Sequence, residues 1–256
     1  MTVLSAEGLH VTGDGNPLLT DVTLSVAPGE SVLVCGGPGS GKTLLLKALA
    51  GLFEDRDDLV VTGTVIRDSE IGYVFQYPAT QLVRRTVRLD VGYGLENRGV
   101  PSAEIADRVE AIAEQFDATH LLDRRVNALS AGETTIAALL GVLVTEPDVV
   151  LLDEPFSTLD AAGTRQVLRA IDRLATADVA VVIAEHDARD LLSRVDRVLR
   201  LASGRVADDG PPRAVVDSLH RSGVKLPVRT QVAIERGANG ERPVPLAADG
   251  CGVESP

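Results

Sequence analysis

Three short blocks of consecutive apolar residues stand out along the chain: "SVLVC" at 31–35, "VVLLD" at 149–153 and "VAVVIAE" at 179–185. Each is bounded by turn signals and lacks the alternation of a strand with one wet face, so each predicts a strand buried on both sides. Between them, apolar positions recur at helical spacing over 42–52, 86–97, 101–116, 130–145 and 161–176, with Pro101 and Ser130 marking two of the starts. The N-terminal stretches "TVLSAEGLHV" and "LLTDVTLSVAPGE" read as two strands around a turn at 13–16. "TGTVI" and "IGYVFQ" add two more strands, and "RVLRLASGRVADDG" a closing hairpin. Apolar strands alternating with helices predict an α/β fold with a mostly parallel core sheet covered on both faces. Beyond Pro227 the pattern fades into Gly, Pro and Ala, and residues 236–256 are expected to form a flexible tail.

The composition narrows the function classes. The chain has 256 residues, 45% of them hydrophobic but only 3% aromatic, so a large core is built from Val, Leu, Ala and Ile. A net charge of −12 argues against a nucleic-acid partner, which needs clustered Lys and Arg. Lysine occurs only at 42, 47 and 225, while acidic runs such as "EDRDD" recur; this predicts a well-solvated surface and points to a salt-adapted or high-GC source. Cys35 and Cys251 are too isolated to suggest a disulfide framework, so a reducing cytosol is expected. No signal segment is visible, and no apolar run approaches the roughly 20 residues that cross a bilayer. Any work at a membrane requires docking on a partner there.

Two motifs carry chemistry. "GGPGSGKT" (Gly36, Gly37, Pro38, Gly39, Ser40, Gly41, Lys42, Thr43) follows a buried strand and opens a helix. That context makes it a phosphate-binding loop: glycines let backbone N–H groups turn toward phosphate oxygens, the helix N-terminus favours the anion, Lys42 supplies a charge and Thr43 a hydroxyl for Mg²⁺. About 110 residues later "VVLLDEP" places Asp153 at a strand end to hold Mg²⁺ and Glu154 to orient and deprotonate a water. A third stretch, "LSAGETTIAALL", reads as a capped helix start, with Ser130 at the cap and Glu133 three residues on.

Together these resemble an ATP-binding-cassette (ABC) ATPase. "GGPGSGKT" resembles Walker A, "VVLLDE" Walker B, "LSAGE" the family signature and "STLD" the D-loop with Asp160; His186 resembles the switch histidine and Gln76 the Q-loop glutamine. The resemblance spans roughly residues 3–210. It implies a P-loop cassette over 1–210 with an N-terminal antiparallel β subdomain, a helical signature subdomain near 84–145 and a C-terminal appendage at 211–235. It further implies ATP and Mg as ligands, catalytic roles for Glu154, His186 and Gln76, and Mg ligation by Thr43, Asp153 and Gln76. Leu129, Ser130, Ala131, Gly132 and Glu133 are then expected to act on the γ-phosphate held by a second ATPase subunit.

The chain also departs from the family pattern. Ala131 replaces a glycine, and Thr134–Thr135 replace a pair that usually carries a positive side chain. The ring that usually stacks on adenine should lie near 10–13, where "HVTG" offers only His10, so weak base discrimination is expected. "VFQYPATQLV" and "HLLDRRVNALSAGE" resemble the energy-coupling-factor (ECF) branch, whose ATPases drive uptake of vitamins and transition-metal ions. "LHRSGVKLPV" resembles the appendage that joins two ATPase subunits in that group. The partners implied are a second ATPase subunit, homo- or heterodimeric, a transmembrane coupling subunit and a substrate-binding membrane component, at the cytoplasmic face of the cell membrane. The acidic pair usual in the Q-loop is Ala79–Thr80 here, so Asp90 and Glu96 are the expected acceptors of the membrane partner's arginines. The alternatives are another ABC importer ATPase, a soluble cassette protein or a non-hydrolysing partner subunit; Glu154 and His186 argue against the last.

Overall fold

The computed structural model describes residues 2–53 and 58–238. Strands β1 (Leu4–Gly13) and β2 (Asn16–Val26) form an antiparallel hairpin, and β3 (Ser31–Cys35) runs into α1 (Lys42–Leu49). β4 (Leu59–Ile66) pairs with β1 and completes a three-stranded antiparallel sheet in the order β2-β1-β4. Then come β5 (Ile71–Val74), α2 (Val87–Val91), α3 (Tyr93–Asn97), α4 (Ser102–Gln115) and α5 (Ala131–Leu143). β6 (Val149–Asp153), α6 (Ala161–Thr176) and β7 (Ala180–Glu185) precede the hairpin of β8 (Arg197–Ala202) and β9 (Arg205–Gly210). The second sheet has the order β5-β6-β7-β3-β8-β9, parallel except at the β9 edge.

The uniformly apolar strands divide their residues between two cores. Val32, Val34, Val149, Leu151, Val182 and Ala184 face α1 and the antiparallel sheet. Leu33, Cys35, Val150, Leu152, Val181 and Ile183 face the helices on the other side. Successive strand residues point to opposite faces, so a sheet covered twice needs apolar residues at every position. Because the same rule governs the strand ends, chemistry at the carboxyl edge also divides between the faces.

Helix α5 lies directly on β5. A Cβ at Gly72 would sit 2.1 Å from Val142 Cγ1, so only glycine lets the two elements approach this closely. The helical stretch expected over 86–97 is broken at Gly92, where α2 gives way to α3. A Cβ there would meet Ile105 Cγ2 at 2.8 Å, so the bare backbone admits α4. After β9, α7 (Pro212–Arg221) seats Val215 and Leu219 in the helix-side core, and α8 (Val228–Ala238) runs three residues past the expected end of the appendage. Residues 239–256, with most of the expected tail and Cys251, lie outside the described residues, as does most of the "EDRDD" run.

Candidate nucleotide site

The loop between β3 and α1 is shaped by close approaches. A Cβ at Gly36 would lie 2.4 Å from the Leu201 carbonyl oxygen, and Gly41, at φ +103°, would meet Leu19 Cδ2 at 2.6 Å. Around Gly37 and Gly39, in contrast, a Cβ would meet nothing within 4 Å. Lys42 is buried; its Nζ donates to the Gly36 and Gly37 carbonyls at 3.0 and 3.3 Å and lies 3.5 Å from Glu154 Oε1. Ser40 Oγ is buried with no hydrogen-bond partner. A hydroxyl left unsatisfied in a glycine-lined concavity is a place kept for a polar ligand.

Asp153, at the end of β6, accepts from Thr43 Oγ1 at 2.8 Å and from the Tyr73 hydroxyl at 3.1 Å. Burial raises the Asp153 pKa, and those two hydrogen bonds oppose the rise. Burial and the Asp153 charge push the Tyr73 hydroxyl well above its ordinary range, so it stays a donor. Thr43 and Asp153 thus bring a hydroxyl and a carboxylate together, the hard-oxygen donors that suit Mg²⁺. Gln76 is turned elsewhere: its Nε2 donates to Glu154 Oε2 at 3.1 Å. Glu154 sits in the left-handed region at φ +46° and is held there by its N–H, which donates to the Ala184 carbonyl at 2.9 Å.

Gly39, Ser40, Gly41, Lys42, Thr43, Gln76 and Glu154 line one cleft of about 710 Å³ together with Pro38 and His186, while Asp153 is buried and joined to it through Thr43. The cleft is also lined by Leu18, Leu44, Leu59, Phe53 and Lys47. His10 pairs with Thr62 inside the antiparallel sheet and does not line the cleft. At Gly13 an added Cβ would lie 2.9 Å from Leu18 Cδ1 and 3.0 Å from Leu59 Cδ2, so two leucines fill the space a larger residue there would claim. The sequence offered no cue to this: Leu18 reads as an ordinary strand residue and Leu59 lies outside the predicted strand "TGTVI".

The family model described as "ABC transporter" matches residues 19–157, more than half the chain. The energy-coupling factor transporter ATP-binding protein EcfA1 of Halalkalibacterium halodurans is 34% identical over 93% of this chain and 90% of its own length. The EcfA1 protein of Bacillus subtilis is 35% identical over 84% of this chain and 80% of its own length.

The chain belongs to the ABC transporter ATP-binding family.

A solved structure of cbiO1 from Clostridium perfringens, part of the ABC transporter complex cbiONQ, superposes with a TM-score of 0.75 at 28% identity over 93% of this chain and 97% of its own. A nucleotide-free ATP-binding cassette at 20% identity, TM-score 0.72, shares the fold over 86% of this chain and 96% of its own. As in its family, this ABC protein binds ATP and is an ATP hydrolase coupled to transport.

In this ABC cassette the stretch that resembles the signature lies away from the cleft: none of Leu129, Ser130, Ala131, Gly132 or Glu133 lines it. Ser130 caps α5 in a complete capping box. Its Oγ accepts the Glu133 N–H at 3.3 Å, and its own N–H donates to Glu133 Oε2 at 2.8 Å. That backbone hydrogen bond leads the causes that hold the Glu133 pKa below its ordinary value. Arg124 pairs with Glu133, so a positive side chain does stand beside this stretch despite Thr134–Thr135. Those two threonines turn inward, and their hydroxyls donate to the Ser130 and Ala131 carbonyls. Asp160 caps α6 by accepting the Gly163 N–H at 2.7 Å.

The expectation for Asp90 is corrected. Its carboxylate is buried and turned back on its own chain, where Oδ1 accepts the Val83 and Arg84 N–H groups at 2.7 Å each. It shapes the loop and offers a partner no free charge. Glu96 is half in solvent but already pairs with Arg84 at 2.7 Å. This stretch also exposes large apolar side chains, Tyr77, Val83, Leu89 and Tyr93, among exposed charges that include Arg84 and Glu96.

Proposed function

We propose that the chain is the ATP-binding and hydrolysing subunit of an ECF-type importer, driving uptake of a vitamin or transition-metal ion by ATP-dependent closure of an ATPase dimer. The observation that carries this is the half-built site: one cleft is lined by Lys42, Thr43, Glu154 and His186, with Asp153 bonded to Thr43, while none of the signature-like helix start lines it. Two chains placed head to tail would supply each other's missing half, with Ser130 and the first amides of α5 meeting the γ-phosphate. The EcfA1 and cbiO1 relatives supply the branch.

In this reading the amides of 37–41 cradle the β-phosphate, and Lys42 exchanges its loop carbonyls for phosphate oxygens. Mg²⁺, held by Thr43 and Asp153 with Gln76 near, would neutralise phosphate charge. Glu154 accepts the proton of the attacking water, Gln76 holds that carboxylate in line, and His186 faces the γ-phosphate. Asp160 and the appendage lie toward the second ATPase subunit. The exposed apolar side chains at 77–93 receive a transmembrane coupling subunit that works with a substrate-binding component, which places the chain on the cytoplasmic face of the membrane; among the described residues no helix is long and apolar enough to cross it. The test is purification from membranes with partners identified, followed by turnover of Glu154→Gln in that complex. Recovery with two membrane proteins and loss of turnover with ATP binding retained is expected; parental turnover overturns the role of Glu154.

A further inference from the structure

The acidic residue just before His186 is not used by this mechanism, yet it is as deeply buried as Asp153. The Glu185 side chain is 2% exposed. Its Oε1 accepts the Phe156 N–H at 3.1 Å, and its Oε2 accepts the His186 N–H at 3.2 Å. The same Oε2 lies 3.4 Å from His186 Nδ1. One carboxylate therefore touches both the turn that carries Glu154 and the imidazole that lines the cleft. With the Glu154 N–H bonded to the Ala184 carbonyl, the end of β7 grips that turn at two points.

We infer that Glu185 is a positioning residue that shares a proton with His186 Nδ1 and thereby decides whether His186 presents Nε2–H, a donor, or a bare Nε2 to the cleft. With one proton in the pair, two arrangements are open. Either the Glu185 O–H donates to Nδ1 of a neutral ring, or the carboxylate accepts from Nδ1–H of an imidazolium. Both leave a hydrogen on Nε2. When the pair gives its proton to solvent, the carboxylate keeps Nδ1–H as its donor, and the remaining ring proton is then absent from Nε2.

The surroundings bring this change near neutrality. Burial pushes Glu185 up to about 7, opposed by the Phe156 and His186 N–H groups and reinforced by Glu154 and Asp187. Across the sheet, Cys35 stands in register on β3; its thiol, pushed up to about 12 by burial, brings no charge. Lys42 is turned to Glu154.

The test needs no nucleotide. Nitrogen-15 NMR of the histidine rings in the full chain, with the His186 signals identified by their loss in His186→Gln, reads Nε2 protonation across pH. In the parent, Nε2 should lose its hydrogen in the step that ionises Glu185, whose carboxyl burial pushes up to about 7. In Glu185→Gln no ionising carboxyl is left beside Nδ1, so the loss of Nε2–H that follows Glu185 should be absent. A parent ring that keeps Nε2–H to pH 9, or a variant that loses it alongside the parent, overturns the inference. The consequence for turnover rests on the role of His186 proposed above. In the assembled complex, parental turnover should fall about tenfold per pH unit on the alkaline side, and the Glu185→Gln profile should be flat there. A ring that switches while turnover does not follow supports the shared proton and removes His186 from the phosphate.

Discussion

At the residue scale, buried charge is concentrated where the strands end. Glu185 makes a prediction independent of catalysis. Its carboxyl sheds a proton near its ordinary value of 4.5 in the unfolded chain and near 7 in the folded one. The folded state therefore binds more protons between these limits, and its stability falls as pH rises from about 4.5 to 7. Glu185→Gln removes this dependence, so parent and variant should diverge by on the order of 2–3 kcal/mol between pH 4.5 and 8. Denaturant unfolding at the two pH values checks it; parallel curves would contradict the assignment. Lys42, Thr43, Asp153 and Glu154 were legible as candidates because each sits at a fixed offset from a strand or a glycine, and His186 through the family resemblance alone. The sequence hid Glu185 and misplaced Asp90 for one reason: a carboxylate at an element's end looks solvated unless its backbone partners are known. Lys42 gives a second prediction, since without it residues 36–43 of the loop offer the phosphates no side-chain charge. Lys42→Ala should weaken ATP binding by 2 kcal/mol or more, of the order lost with a charge-assisted hydrogen bond, by calorimetry on the isolated chain.

At the element scale, the decisive contact joins the two helices that begin at the proposed dimer face. A Cβ on Gly132 would lie 2.7 Å from Gly163 Cα, and one on Gly163 would lie 3.3 Å from Gly132 Cα. The first turns of α5 and α6 therefore touch backbone to backbone, and Ser130 and Asp160, their caps, move together. Gly163→Ala should push α5 aside by a few tenths of an ångström. An overpacking of that kind costs roughly 1–3 kcal/mol. It should lower turnover of the complex several-fold while ATP affinity of the isolated chain stays the same; equal losses in both would show that the contact serves only folding. Helix existence was legible from apolar spacing, and the start of α5 from Ser130 and Glu133. The break at Gly92 and the Gly132–Gly163 crossing were not, because a missing side chain leaves no mark in periodicity and its meaning depends on which helix arrives opposite.

At the scale of the whole molecule, the chain is acidic and the proposed site is half of one. Many of its arginines pair with carboxylates at close to 3 Å, including Arg88 with Asp123 and Arg194 with Asp172. Salt leaves such contacts largely intact, because the Debye length is about 8 Å at physiological ionic strength. The repulsion among the surplus acidic groups, net −12, acts over longer distances and is screened. The melting temperature should therefore rise between about 10 mM and 1 M KCl, as the Debye length contracts from roughly 30 to 3 Å; a fall would mean that ion pairs outweigh net repulsion. Residues 10–13 bring no ring into the cleft to stack on a base, a contact worth on the order of 1 kcal/mol, and Phe53 is the aromatic side chain that lines it. Hydrolysis of ATP and GTP should then differ by less than about tenfold in kcat/KM, and a thousandfold preference would show that another group reads the base. The central claim is that each site is shared between two chains. Ser130→Arg tests it most directly, with ATP affinity and turnover measured on the same preparation of the complex. The account predicts an ATP Kd within about twofold of the parent, well under 1 kcal/mol, and turnover reduced a hundredfold or more, because the bulky side chain blocks the neighbour's phosphate and leaves its own cleft untouched. Turnover near the parental rate, or turnover and affinity lost together, would contradict it.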